Sequence, residues 1–369
     1  MAFSGSARRI NLALQGGGAH GAFTWGVLDR LLEDDDIALG WLSGTSAGAV
    51  NAVAVAAGLA QGGRSEARAT LQRVWGAVEA AGNSDLVRLN PFLYGLTKAS
   101  GVGGMMSPYD FNPMGFDPFR KLLEANIDFA RLRSDAAASP ELLIAATDVA
   151  TGRPRIFRRA EITVEAVLAS ACLPQIHHAV EIDGRAYWDG GYSANPDLLT
   201  LAAESPIGDT LIVQLNPLDR VGSPRTARDI ASQVSNITFN AAILKDIETI
   251  VAAQKELPQR TALQRWLTPE PQGRLVRYAQ HRFHLIDAGR HTSSLSAGSK
   301  GSPDRAMLEQ LFRAGHMEAS RWIERHRADI GRRQSIDLEA HYLTRERPRA
   351  LVPAFAEADD FGTPPGNSI

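Results

Sequence analysis

The chain has 369 residues, 44% of them hydrophobic, enough to bury a large core as one extended α/β domain or two average ones. Its 39 basic and 41 acidic residues leave a net charge of -2, which gives no electrostatic footing for nucleic acid. Cys172 is the only cysteine, so an intrachain disulfide and a cysteine-built zinc site are excluded and a reducing cytoplasm is the expected setting.

Residues 1–9 lack the apolar stretch of a signal peptide and read as a short tail. Ile10 to Gln15 reads as a first strand, followed by the glycine loop Gly16-Gly17-Gly18-Ala19-His20-Gly21 and a helix to about Glu33 with Phe23, Val27, Leu28 and Leu31 on one face. Leu39 to Ser43 is a short, mainly apolar run, and Ala49 to Ala57 a buried helix that Gly58 should stop. The apolar run 47–60 falls short of the roughly 20 residues of a membrane span, and Asn51 interrupts it. Ser65 to Ala80 is a further helix, and the Gly-, Pro- and Asn-rich stretch from Gly82 to Gly115 a long excursion. Within it, Met105 to Phe116 concentrates Met and aromatic residues; a substrate-facing lid, a membrane-touching surface and simple core packing all fit. Leu142 to Val149 is a strand and Ile162 to Ala171 a helix, before a hairpin with an Asp183-Gly184 turn. Strands at Leu211–Leu215 and Phe283–Ile286 and helices at Ala227–Glu256 and Arg305–Ile330 complete an alternation that predicts a largely parallel sheet between helices. The arginines around 313–327 are offset by Glu318 and Glu324 and describe a solvated face. Residues 331–369 turn charged and Pro-rich and read as a loosely held tail.

Chemistry enters at Gly44-Thr45-Ser46-Ala47-Gly48, a Gly-x-Ser-x-Gly at a strand-to-helix junction, where the serine is a candidate nucleophile. Taken alone, the pentapeptide is as well explained by a polar turn. The glycine loop also follows a strand and opens a helix, so its backbone amides can stabilise a tetrahedral oxyanion. Asp189-Gly190-Gly191 ends the hairpin strand, and an aspartate held there by a close hydrogen bond and partial desolvation can take a proton from a serine hydroxyl. In isolation that aspartate reads as a turn residue. Ala169-Ser170-Ala171-Cys172-Leu173-Pro174 is a helix end with no derivable chemistry and serves as a landmark.

Together these four ordered blocks resemble the patatin-like phospholipases over about Asn11 to Leu201. The resemblance implies a three-layer α/β/α sandwich with a mainly parallel central sheet. It also implies a Ser-Asp dyad that works without histidine, cofactor or metal. By that likeness Ser46 is the nucleophile and Asp189 its base. Gly16, Gly17, Gly18 and Gly21 form the oxyanion hole, with Gly17 and Gly18 donating and Gly16 and Gly21 shaping the loop. Gly44, Thr45, Ala47 and Gly48 build the elbow, and Gly190 and Gly191 complete the Asp-Gly-Gly motif. The implied activity is lipid acyl hydrolysis of the phospholipase A, lysophospholipase or carboxylesterase type. The partner is a lipid ester, met either in solution or in transient contact with a membrane surface. Residues 10–202 form the implied catalytic core and 203–330 continue the same domain. One departure is that Gln175-Ile176-His177-His178 follows the landmark proline, where the family often has an aromatic residue.

Two alternatives remain open at this point. An α/β-hydrolase triad would need a histidine after the acid, and His281, His284 and His291 have that chain order. Gly16, Gly18 and Gly21 also match a dinucleotide-binding fingerprint, but Asp34, Asp35 and Asp36 precede the second strand, whereas the ribose-binding acid should end it. His20 is placed either at the mouth of the site or on the surface, capping the helix.

Overall fold

The computed structural model describes residues 7–83, 107–135, 139–219, 223–257, 273–293, 295, 297–301 and 303–344. It begins with strand β1 (Arg8–Leu14), the glycine loop and helix α1 (Gly21–Glu33). Strand β2 (Ile37–Thr45) follows, and then helix α2 (Ala47–Asn83). Two short helices, α3 (Pro118–Asn126) and α4 (Phe129–Ser134), lead into β3 (Leu142–Asp148) and β4 (Pro154–Arg158). Helix α5 (Val164–Ser170) precedes the hairpin of β5 (Val180–Ile182) and β6 (Arg185–Asp189). Next come α6 (Leu198–Glu204), β7 (Asp209–Gln214), α7 (Ala227–Glu256) and α8 (Arg274–Gln280). Strand β8 (Arg282–Asp287) and helix α9 (Arg305–His326) follow.

The sheet runs β5-β6-β3-β2-β1-β7-β8, with β4 paired to β3. Strands β3, β2, β1, β7 and β8 are mutually parallel, while β4 and β6 lie antiparallel to β3. Every residue of β3 and β7 is buried, as expected for strands covered on both faces. Side chains alternate between two cores. Ile10, Leu12 and Leu14 of β1 join α1, α2, α5 and α9 on one face, while Ala13 joins α6, α7 and α8 on the other. The expected three-layer α/β/α sandwich with a mainly parallel sheet is the observed fold, and β7 and β8 extend that sheet beyond residue 202. Among the described residues no helix is long and apolar enough to cross a membrane.

Several local expectations are corrected. Gly58 does not stop a helix. Helix α2 runs through it, and the glycine serves instead the close approach of the Ala67 backbone, where a hydrogen is all that fits; the break falls at Gly62 and Gly63, where φ is 74° at Gly63. Strand β4 was not anticipated, since Pro154-Arg155-Ile156-Phe157-Arg158 carries only two apolar residues between charged ones. Residues 331–344 are held in place rather than loose: Leu338 and Tyr342 are buried, and Tyr342 Oη donates to Gln214 Oε1 at 2.6 Å. The remainder of the tail, 345–369, lies outside the described residues, as do 84–106 of the long excursion.

Candidate active site

The ends of β2 and β6 meet on one edge of β3. Thr45 stands opposite Ala145, and Asp189 opposite Ala146. Because β4 occupies the other edge of β3 from Leu143 to Thr147, β6 has to take over the edge where β2 leaves it. The residue after Thr45 is Ser46, so register alone brings the serine and the aspartate together.

Ser46 has a φ of 54°, a left-handed conformation rare outside glycine that marks a sharp, strained elbow. It is partly exposed between buried neighbours. Its amide donates to Ser170 Oγ at 2.9 Å, and its carbonyl accepts from the Val50 amide at 3.1 Å. Ser170, read from sequence as a landmark only, therefore buttresses the elbow. Thr45 Oγ1 donates to the Ala194 carbonyl at 2.7 Å, tying the elbow to the turn after Asp189. Gly44 packs on the main chain of Gly48, and Gly48 on the Leu14 carbonyl, so strand and helix meet backbone to backbone.

Asp189 is buried, with 1% of its surface exposed. Its amide donates to the Cys172 carbonyl at 2.7 Å and its carbonyl accepts from Thr147 Oγ1 at 2.8 Å, which fixes the backbone. Oδ1 accepts the Gly191 amide at 2.8 Å. Oδ2 is buried without a hydrogen bond of ordinary geometry, although the Ser46 hydroxyl lies near enough to favour the ionised carboxyl. Burial pushes the Asp189 carboxyl up to about 7; the Gly191 amide, the Ser46 hydroxyl and the charge of Lys300 oppose that rise. Gly190 rests on the Ala145 carbonyl and Gly191 on the Phe239 ring.

Side-chain amides tie the glycine loop to two distant segments. Asn195 Oδ1 accepts the Gly16 amide at 2.8 Å, Asn216 Nδ2 donates to the Gly16 carbonyl at 3.2 Å, and Gln15 Oε1 accepts the Leu215 and Asn216 amides, each at 2.8 Å. With its amide occupied, Gly16 shapes the loop. The Gly21 amide is likewise turned back, onto the Gly18 and Ala19 carbonyls. Among the described residues the amides of Gly17 and Gly18 have no protein acceptor. Gly18 has a φ of 57° and is exposed, and Gly16 is the loop glycine that packs against the Ser46 β-carbon. His20 is buried, and its Nε2 hydrogen-bonds Ser299 Oγ at 2.7 Å, so it neither sits on the surface nor caps the helix.

The histidines of the rival triad sit elsewhere. His281 Nε2 pairs with Thr210 Oγ1 at 2.7 Å, and burial pulls its pKa down to about 3. His284 bridges Asp209 Oδ1 at 3.2 Å and Ser335 Oγ at 2.9 Å, while His291 meets Glu318 at 3.1 Å. His281 and Thr210 lie at the start of β8 and β7, the end of the sheet opposite the elbow. Of the three acids weighed against ribose, Asp34 and Asp36 pair with Arg327. Among the described residues Asp29, Glu33 and His316 form a group with metal-ligand spacing, but Arg68 already bridges the two carboxylates.

Beside Cys172 opens a cavity of about 240 Å³ lined in part by Phe116, Phe119, Leu168 and Ala171. The Cys172 thiol there is pushed up to about 12, chiefly by burial and then by the charge of Asp189, so it is no nucleophile. Of the methionine- and aromatic-rich segment, 107–116 packs on this rim. The Tyr109 ring stacks on His178, and Tyr109 Oη accepts the Ala179 amide at 3.2 Å. Tyr109 and Met114 remain exposed, and 105–106 lie outside the described residues.

A left-handed serine elbow, a buried aspartate and a glycine loop thus gather where the central strands of a three-layer α/β/α sheet end, the crevice where open α/β sheets bind their ligands. The sequence profile of the patatin-like phospholipase family matches residues 12–202, and the chain belongs to that family of lipid hydrolases. Among solved structures, the crystal structure of VipD from Legionella pneumophila is similar, with 15% identity and a TM-score of 0.41, covering 86% of this chain and 67% of that one. No curated protein sequence matches the chain.

Proposed function

We propose that the chain hydrolyses acyl esters of lipids through a Ser46–Asp189 dyad. The observation that carries this reading is the meeting of a left-handed Ser46, one residue past Thr45 opposite Ala145, and a buried Asp189 opposite Ala146. Free aspartate is a weak base at neutral pH, but one held near 7 is matched to proton transfer there. Ser46 Oγ attacks the acyl carbon while its proton passes to Asp189. The displaced C=O electron pair rests on the oxyanion, which the Gly17 and Gly18 amides bind. Removing one such donor typically costs about 3–4 kcal/mol of barrier. The N-terminus of α2 adds positive dipole at the same place. Asp189 then protonates the leaving alkoxide, takes a proton from the water that attacks the acyl carbon, and returns it to Ser46 Oγ as the acyl–Oγ bond breaks and the free acid leaves. No step needs a metal or cofactor. The cavity beside Cys172 offers room for substrate, with 107–116 forming its cover.

Ser46→Ala and Asp189→Asn should each abolish hydrolysis of a chromogenic fatty ester. A fluorophosphonate probe should label wild type at Ser46 and leave Ser46→Ala unlabelled. Full activity in either variant would overturn the dyad.

A further inference from the structure

The turn Ala297–Gly301 lies outside the residues matched by the family profile, yet it closes over the glycine loop. The Lys300 carbonyl occupies the space a β-carbon on Gly18 would need, and Ser299 is bonded to His20 inside the loop. From that anchor the Lys300 ammonium reaches Asn216 Oδ1, the residue whose Nδ2 holds the Gly16 carbonyl. One lysine thus grips both ends of Gly16–Gly18, by main chain at Gly18 and by side chain through Asn216 at Gly16. Gly16, which this clamp holds, packs against the Ser46 β-carbon, so the ammonium sits one asparagine away from the loop that borders the elbow, and its charge opposes the rise of the Asp189 carboxyl.

We propose that Lys300 is a positioning residue for this hydrolysis: it fixes the oxyanion loop through Asn216 and supplies the positive field in which Ser46, Asp189 and the oxyanion exchange charge. This rests on the dyad reading. Among the described residues the other groups facing Asp189 carry no charge at neutral pH. They are the Ser46 hydroxyl, the Gly191 amide, the Cys172 thiol, and the Tyr192 phenol, whose pKa burial raises. In the attack the Ser46 Oγ–acyl carbon bond forms, the proton moves to Asp189 and negative charge appears on the acyl oxygen. A fixed ammonium favours the ionised base before that step and the oxyanion after it, and a dry site strengthens both effects.

The test is kcat/KM against pH from 5 to 9 for wild type, Lys300→Met, Lys300→Arg and Asn216→Ala, with the rate of fluorophosphonate labelling of Ser46 over the same range. Lys300→Met should lower kcat at least about tenfold, a typical loss for a removed electrostatic contact. It should also move the acid limb to higher pH in both measurements, because Asp189 would then hold its proton more tightly. Lys300→Arg keeps the charge and should restore the limb. Asn216→Ala should slow turnover while leaving the limb where it was. A Lys300→Met limb that coincides with wild type, or one that arginine fails to restore, overturns the proposal. Activity in Ser46→Ala would instead mark failure of the dyad reading itself.

Discussion

Replacing Asp189 by asparagine should cost all activity and increase stability, and the gain should depend on pH. An ordinary aspartate titrates near 3.8, whereas Asp189 is held at about 7, mainly by burial. At about 1.4 kcal/mol for each pH unit, that gap corresponds to about 4 kcal/mol by which the ionised form strains the fold. The sign follows from the direction. Below pH 3.8 the acid is neutral both folded and unfolded and no penalty exists. Between pH 4 and 7 the unfolded chain ionises while the fold resists, so stability falls, and above 7 the penalty is constant. Asparagine matches the neutral acid in shape and can still accept the Gly191 amide, so it escapes the penalty. Urea unfolding of both proteins at pH 5 and pH 8 should show the advantage of Asp189→Asn growing by about 2–3 kcal/mol between them. Wild-type kcat/KM should meanwhile drop at pH 6 to about a tenth of its plateau, because only the ionised carboxylate can act as base. An advantage that stays the same at both pH values, or activity that stays flat down to pH 5, would refute the link between burial and catalysis.

Gly18→Ala should lose at least about tenfold in kcat, because an alanine at φ 57° costs roughly 1–2 kcal/mol and its β-carbon meets the Lys300 carbonyl; steady-state kinetics with folding checked by circular dichroism would show this. Asn195→Ala leaves the Gly16 amide unsatisfied and should lower kcat by about one to two orders of magnitude with little change in KM, since the loop acts on the transition state. His281→Ala, His284→Ala and His291→Ala should each keep fatty-ester hydrolysis wherever the protein folds; loss of turnover in one that folds normally would restore the triad. Ser170→Ala should slow labelling of Ser46 by a fluorophosphonate, because the elbow amide loses its acceptor.

The parts of the site that sequence discloses are those where the backbone itself is demanding. Gly18 sits in the left-handed region and Gly48 against a carbonyl, so only glycine serves there and the motif is short and local. The supports are another matter. Asn195, Asn216 and Lys300 are common polar residues in irregular stretches, 179 or more positions from the loop they hold, and no periodicity signals them. Helix α7 shows why a simple apolar-inward rule also falls short. Its first half buries Ser232, Asn236 and Asn240 and exposes Ile230, Val234 and Ile237. The inward asparagines donate to the Pro217 carbonyl, and Asn240 Oδ1 accepts from Gln15 Nε2, so this polar face supports the strand end that carries the glycine loop. Helix and strand positions were readable for most elements because the apolar runs are long; β4, with its charged alternation, was not.

The handover of the β3 edge from β2 to β6 makes strand length a functional variable. Thr45, the residue before Ser46, and Asp189 are counted off against the same strand, one from each direction, with no slack between Ala145 and Ala146. Removing one residue between Arg185 and Trp188 would send the carboxylate through the sheet to the opposite face, because neighbouring strand residues point opposite ways. The Asp183-Gly184 turn lies at the far end of the same hairpin and carries no such count. Variants of this enzyme can therefore accept insertions at the hairpin tip, whereas the four residues before Asp189 act as a fixed spacer whose length matters more than its side chains.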